Sequence, residues 1–284
     1  VMYSRRYVLL PLLAGQPPAL IIEAGAPDWL TNLPTDHDGA WLVRITDRHI
    51  SANANELLIH PPSLAVGVGC ERDCTPEELQ ALVTETLAEA GLSAQSVAAV
   101  VSIDVKADEA AVHAMATSLN VPARFFAPHI LEAETPRLAT PSEIVFREVG
   151  AHGVAEAAAL AAAGPKGALI VPKNKSKRAT CAIARADSIV PETTGQARGH
   201  LSIVGTGPGD TAHRIPATDR AVSLAQELVG YGPYLDLLGP ATAGKTRHDF
   251  NLGAESDRCR HALELASQGH NVALVSSGDP GVFA

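Results

Sequence analysis

The chain is poor in cysteine, in aromatic side chains and in positive charge, and each shortage closes off a class of protein. Four cysteines in 284 residues cannot frame a disulfide-built domain of this length. Cys70 and Cys74 stand four apart, but no second cluster and no histidine pair at zinc spacing goes with them. They read as ordinary thiols of a reducing compartment, and no metal site is expected. Aromatics are 4% of the residues, while alanine is abundant. That composition suits small-faced helices packed on sheets better than a β-sandwich. The formal charge is −9, and the one basic tract is KNKSKR at residues 173–178. A nucleic-acid partner is therefore not expected, and an anionic small molecule would need a local positive site. No apolar run approaches the roughly 20 residues of a membrane span, so the expected setting is the cytoplasm without a membrane partner. The stretch SRRYVLLPLLAG at residues 4–15 has the paired arginines of an export signal, but Pro11 interrupts it and no small-residue cleavage site follows. The first residue is Val, which suggests the interior of a longer chain.

Composition punctuates the sequence at HPPS (60–63) and at DSIVPETTGQARG (187–199). These breaks divide it into residues 1–62, 63–186, a linker at 187–198, and 199–284. In the first segment ALIIEAG and WLVRITD read as strands. The second alternates strand and helix. SLAVGVGC runs into a turn, and TPEELQALVTETLAEAG is a helix with Thr75 as cap, Pro76 at its first position, Glu78 completing a capping box and Gly91 beyond its end. VAAVVSIDV is a continuous apolar run, as expected of a strand buried on both faces. Such alternation predicts a largely parallel sheet with helices on its faces. The rhythm restarts with HLSIVGTGPGD, and the last strand, NVALV, runs into a loop where the sequence ends.

Three glycine-rich stretches compete as ligand loops. GPATAGKT (239–246) fits the phosphate-loop pattern letter for letter, yet it follows a turn and a short helix, and the residues after it read as irregular. A phosphate loop needs a buried strand before it and a helix N-terminus after it. The stretch therefore reads as a connector and Lys245 as a solvated charge. VGTGPGD (204–210) and SSGDPGVFA (276–284) do follow strands, although the first has neither the spacing nor the distal acid of a dinucleotide site. Two strand-end glycine loops in one sheet imply a shared crevice at the carboxyl edge, where α/β sheets bind ligands.

The motifs LSIVGTGPGD, LVGYGPYLDLL, GAESDRCRHALELASQG and NVALVSSGDPGVFA, in that order, resemble the N-terminal half of the tetrapyrrole methylases, most of all the precorrin-3B C17-methyltransferases. The resemblance implies S-adenosyl-L-methionine as cofactor. By motif, its contacts would be Gly205, Pro208 and Gly209 in the first loop and Ser277, Gly278, Asp279 and Val282 in the second. It also implies a precorrin or cobalt-precorrin substrate, dimerisation through this part, and other enzymes of cobalamin biosynthesis as candidate partners. The family's second methylase domain is not in this sequence, so a truncated half-site that does not turn over alone is expected. LAVGVGCERD, SIDVKADE, TPSEIVFREVGAHGVAEAAALAAA and LIVPKNKSKRATCAIA are similar to the C-terminal domain of the cobalt-precorrin-5A hydrolases, and residues 1–62 resemble that family's central region loosely. GCERD replaces a more basic, glycine-ended family turn. The expected architecture is α/β: a hydrolase-like parallel-sheet domain followed by a truncated tetrapyrrole-methylase N-terminal α/β domain.

Methyl transfer needs the donor methyl held in line with a ring carbon at about 3–3.5 Å, with water excluded, and backbone loops can do this. Ring contraction also needs proton transfers, for which His248 and Asp210 are candidates. Lactone hydrolysis needs an activated water and an oxyanion donor. Asp104, Lys106 and Glu109 gather at the end of a predicted strand, and Glu156 on the alanine-rich helix could join them. Lys173 and its KNKSKR tract could dock substrate carboxylates. Three readings follow: a methyltransferase fused to a hydrolase-like domain, a lactone-opening hydrolase releasing acetaldehyde, and a non-catalytic module that binds corrinoid intermediates.

Overall fold

The structure is a computed structural model, and the description covers residues 14–25, 35–192, 194–208 and 211–278. The paired arginines, Arg5 and Arg6, lie outside those residues. Contacts divide the chain into two compact units, Val1–Gly195 and Gln196–Ala284. No helix among the described residues is long and apolar enough to cross a membrane.

The first unit opens with a small parallel sheet of β1 (Ala19–Ile22), β2 (Leu42–Ile45) and β3 (Glu56–Ile59), in that order. Trp41, Val43 and Ile45 form its buried side. β3 is four residues, ELLI, too short for its periodicity to announce it. Buried Asp47, just past β2, pairs with the guanidinium of Arg185, one arm at 3.0 Å, and the Asp47 carbonyl accepts from the Ser93 amide at 2.7 Å. These contacts fasten the small sheet to the larger one.

The larger sheet contains β4 (Leu64–Cys70), β5 (Val97–Ile103), β6 (Ala123–Phe126), β7 (Ala168–Lys175) and β8 (Ala179–Arg185) in the order β6-β5-β4-β8-β7. β4, β5 and β6 run parallel, while β8 runs antiparallel to both β4 and β7. The expected parallel sheet is therefore mixed on one side. A parallel connection needs a crossover of a dozen or more residues, and only Ser176, Lys177 and Arg178 separate β7 from β8, so they must form a hairpin. Helices α1 (Pro76–Glu89) and α2 (Ala110–Leu119) cover one face through Leu79, Val83, Val112 and Met115. After α2 come the short helices α3 (Pro128–Ala133) and α4 (Glu143–Val149). Helix α5 (Ala155–Ala163) covers the sheet's other face. Its alanines let backbone meet backbone: a Cβ on Gly67 of β4 would lie 1.9 Å from the Ala155 carbonyl oxygen.

The capping box expected at α1 does not form. Thr75 holds the cap position without a side-chain bond. Glu78 reaches across to the β7–β8 hairpin instead, accepting from the Ser176 hydroxyl at 2.5 Å and the Arg178 amide at 2.7 Å. Two donors in a tight turn outbid the single amide at the start of the helix.

The second unit is a parallel sheet in the order β11-β10-β12-β9, made of β9 (His200–Gly205), β10 (Glu227–Tyr231), β11 (Thr246–Phe250) and β12 (Asn271–Ser276). Helices α6 (Pro216–Leu224) and α7 (Gly232–Asp236) pack with Val204, Leu228 and Val275 on one face. α8 (Glu255–Ser267) packs Ala262 against Val229, Val272 and Leu274 on the other. The residues after GPATAGKT are not irregular. They form β11, whose Arg247, His248 and Asp249 are tolerated because an edge strand needs only one partner and gains from charge. Nor is Lys245 a solvated charge: its Nζ donates to the Ser223 and Ala225 carbonyls at 3.0 and 2.6 Å, closing the C-terminus of α6. The phosphate-loop match thus leads into a strand, and its lysine is spent on a helix end.

Candidate ligand sites at the strand ends

In the first unit the carboxyl ends of β4 and β5, the start of α5, one side of α4 and the β7–β8 hairpin enclose a cleft of about 540 Å³. Its lining brings Arg72, Lys106, Lys173, Lys175, Lys177 and Arg178 together against Glu71 and Glu148. In a chain of net charge −9 this is a marked local excess of positive charge. Ile103, Val145, Val149 and Val154 supply an apolar wall. Cationic groups beside an apolar surface suit a flat hydrophobic body with a carboxylate rim.

The cations are not all equally available. Arg178 is folded onto the turn after β4, donating to the carbonyls of Arg72 and Asp73 at 2.6 and 3.2 Å and to Glu71 at 3.1 Å. Lys173 donates to the Thr140 carbonyl at 3.2 Å, and burial, with Lys175 nearby, lowers its pKa. Neither Lys175 nor Lys177 has an ion-pair partner among the described residues. Cys70 also lines the cleft, but burial pushes its thiol up to about 11, so it stays protonated near neutrality and is not a ready nucleophile.

Of the residues expected to act in hydrolysis, Lys106 faces this cleft. Glu109 is buried behind it and takes Lys106 Nζ at 3.3 Å, Arg72 Nη1 at 3.4 Å and the Asp73 amide at 3.3 Å. Asp104 is exposed and is not part of the lining. Glu156 is 2% exposed and accepts from the amides of Ala139, Thr140 and Lys173 and from the Thr140 hydroxyl, all at 2.9–3.0 Å. Burial alone would raise its pKa, but these donors outweigh that effect and hold it below the usual carboxylate value. Its oxygens are occupied in fastening residues 139–140 and β7 to α5, which leaves no lone pair turned to a water. Sequence reasoning missed Glu156 as a structural hub because three of its four donors are backbone amides, which a sequence does not display.

In the second unit β9 and β12 are neighbours, with Gly205 level with Ser276. Their loops interlock: the Thr206 amide donates to the Ser276 carbonyl at 2.9 Å and the Thr206 hydroxyl to the same oxygen at 3.2 Å. Gly207, at φ +67°, turns the first loop, and Thr218 of α6 donates to the Gly205 carbonyl at 3.2 Å. A cleft of about 560 Å³ runs along β9, lined among others by Gly205, Gly207, Thr218 and Gly278. Pro208 is exposed beside it, and Ser277 is half-buried. Gly209, Asp210, Asp279 and Val282 lie outside the described residues. Two observations suit a ligand held here by backbone. The buried Ser276 hydroxyl has no hydrogen-bond partner among the described residues, which is uncommon for a buried polar atom. Among the described residues a Cβ on Gly278 would meet nothing within 4 Å, which leaves room there for a ligand to approach. These residues could hold a small ligand through backbone contacts.

His248 is elsewhere. It sits on β11 level with Val229 and Leu274, two positions before the strand end and so about 7 Å from the loops along the strand. Its Nε2 bonds to Glu227 at 2.8 Å and its Nδ1 to His261 Nε2 at 2.9 Å, and Glu227 also takes His270 at 3.4 Å. A carboxylate only accepts, so His248 Nε2 donates to Glu227, and both ring nitrogens are engaged. The structure does not bring His248 to the cofactor loops. No group of side chains among the described residues is arranged to hold a metal ion.

Residues 64–184 match the family described as Cobalamin synthesis G C-terminus, and residues 200–284 match the Tetrapyrrole (Corrin/Porphyrin) Methylases. The chain is 49% identical over 121 residues to Protein CobE of Sinorhizobium sp, an alignment covering 43% of this chain and 79% of that protein. It is 46% identical over 86 residues to a Precorrin-3B C(17)-methyltransferase of Sinorhizobium sp, covering 30% of this chain and 34% of the other. It is 33% identical over 130 residues to the Cobalt-precorrin-5A hydrolase of Priestia megaterium, covering 46% of this chain and 34% of the other. The chain thus spans about a third of the length of the methyltransferase and of the hydrolase it matches.

Proposed function

We propose that this chain, which belongs to the cobalamin synthesis G C-terminal family and continues into a tetrapyrrole methylase segment, supplies the S-adenosyl-L-methionine loops for C17 methylation of a precorrin and holds a carboxylated corrinoid intermediate in its first unit. The interlock of Thr206 with Ser276, with the unpartnered Ser276 hydroxyl beside it, carries the cofactor half of this reading. Bound S-adenosyl-L-methionine supplies an electrophilic methyl group. The chain's own part is positional: Gly205, Gly207, Ser277 and Gly278 offer backbone donors and acceptors at the carboxyl edge of β9 and β12, and Thr206 fixes the spacing of the two loops. Such a site needs no ionised side chain. Gly209, Asp279 and Val282 complete the expected contact set by motif, and Asp210 remains the proposed proton-transfer group there.

In the first unit, one observation favours binding over hydrolysis. Glu109 is the obvious general base of its cluster, yet its oxygens face Lys106, Arg72 and an amide. A carboxylate so committed is poorly placed to activate water. The cationic cleft itself suits a tetrapyrrole carrying acetate and propionate arms.

Calorimetry with S-adenosylhomocysteine tests the cofactor half. A saturable binding heat is expected for the chain, and Gly278→Val, whose side chain enters the open space beside the loop, is expected to remove it at unchanged thermal stability. Absence of binding to the unsubstituted chain, or binding indifferent to Gly278→Val, would count against the site.

A further inference from the structure

We infer that Glu109 is the positioning residue of the cationic cleft, setting Lys106 and Arg72 for a ligand carboxylate; the inference rests on the reading that this cleft binds an acidic tetrapyrrole. Three groups from two different strand ends converge on this one carboxylate. Arg72 and Asp73 come from the turn after β4, Lys106 comes from the turn after β5, and Glu109 occupies the N-cap position of α2. One oxygen, Oε1, takes both cations, at 3.3 and 3.4 Å, and the other takes the Asp73 amide at 3.3 Å. The site is dry on the Glu109 side, at 4% exposure, and open on the other, where the Arg72 and Lys106 side chains line the cleft. A buried carboxylate shared by two cations holds them closer than their mutual repulsion would otherwise allow. It leaves each with further N–H donors turned outward, because an ammonium has three donors and a guanidinium five. A pair of cations preset at one spacing matches an anionic group that must be gripped in one orientation.

The turn itself needs this support. Asp73 sits in the left-handed region at φ 56°, a conformation that favours glycine. Its amide is anchored by Glu109, and its carbonyl by Arg178. Glu109 thus fixes both the backbone from which Arg72 projects and the Arg72 head group.

Charge counting and positioning predict opposite signs, which makes the inference testable. Uroporphyrin, with a carboxylate on each acetate and propionate arm, serves as probe, and its fluorescence reads binding to the whole chain. Glu109→Gln removes a negative charge from the cleft wall, so electrostatics alone would tighten binding. Positioning predicts binding weakened about tenfold, with the loss shrinking to within about twofold when Lys106→Met and Arg72→Met are already present. Glu109→Asp keeps the charge and shortens the reach. It is expected to weaken binding by a smaller factor of about three, and it carries the test if Glu109→Gln fails to fold. Unchanged or tighter binding in a folded Glu109 variant overturns the role given to Glu109 while leaving the cleft standing. No uroporphyrin binding by the unsubstituted chain overturns the cleft reading itself, and this inference with it.

Discussion

The two strand-end sites of this chain are made of different material. In the first unit the carboxyl ends of β4 and β5 carry long charged side chains, and a hairpin adds more, so the recognition proposed there runs through Lys and Arg. In the second unit the carboxyl ends of β9 and β12 carry Gly, Thr, Ser and Pro, and the recognition proposed there runs through backbone amides and carbonyls. In both units the proposed site lies at the carboxyl ends of neighbouring parallel strands. The difference teaches what each site is sensitive to. A side-chain site responds to charge substitution and to salt. A backbone site responds to any Cβ placed where the ligand must come close, and hardly to charge.

The strongest way to separate the two units is to remove the internal support of one. Glu156 satisfies four donors around the first cleft. Glu156→Ala strands those donors in a buried place, and a loss of about 3 kcal/mol is expected, from a cost of roughly 1–3 kcal/mol per unsatisfied group partly relieved by relaxation. Calorimetric scanning should show the first unit melting earlier with the second unchanged. The pH dependence follows with a definite sign. The folded pKa of Glu156 is depressed, so its contribution is present above the unfolded carboxylate value and is lost as pH falls through the folded one. Acid destabilisation of the first unit should therefore be shallower in Glu156→Gln than in the parent chain.

A smaller effect, confined to binding, comes from the hairpin. Lys175→Glu together with Lys177→Glu reverses two cleft cations that have no ion-pair partner among the described residues. Uroporphyrin binding is expected to fall about tenfold, since exposed charge pairs contribute roughly 0.2–1 kcal/mol each, and to lose much of its salt dependence. S-adenosylhomocysteine binding should not change. Equal losses at both sites would mean that the contrast between them is false.

How much of this could be read beforehand differs between the units for the same physical reason. The glycine loops of the second unit were legible because glycine and proline act locally: Gly207 needs its positive φ wherever the chain goes. The strands were legible from apolar runs such as VAAVVSI. What was not legible is what depends on partners distant in sequence. Glu78 looked like a local cap and instead bonds residues about a hundred positions away. Lys245 looked solvated and closes the end of α6. His248 looked like a proton-transfer group for ring contraction and is engaged by Glu227 and His261. The antiparallel turn of β7 into β8 was hidden because both strands are apolar enough to suit either direction, and only the brevity of Ser176–Arg178 decides it.

The smallest expected effect lies at the one point where the side-chain site depends on backbone conformation as the glycine site does. Asp73 holds φ 56° in the GCERD turn, with its side chain exposed. An L-residue there carries a steric penalty of about 1–2 kcal/mol that glycine avoids, and aspartate is among the residues that tolerate it best. Glycine in turn gains freedom in the unfolded chain, which offsets roughly 0.4–1 kcal/mol of the relief. Asp73→Gly should therefore stabilise the first unit by less than about 1 kcal/mol, raising its melting midpoint by about 1–3 °C. It also removes a carboxylate next to Arg72, so uroporphyrin binding should tighten slightly. A lower midpoint would mean that the Asp73 side chain supports the turn in a way its exposure does not suggest. Weaker binding at an unchanged midpoint would mean that the turn must be stiff to present Arg72, and the two sites would then share a reliance on fixed backbone that their composition conceals.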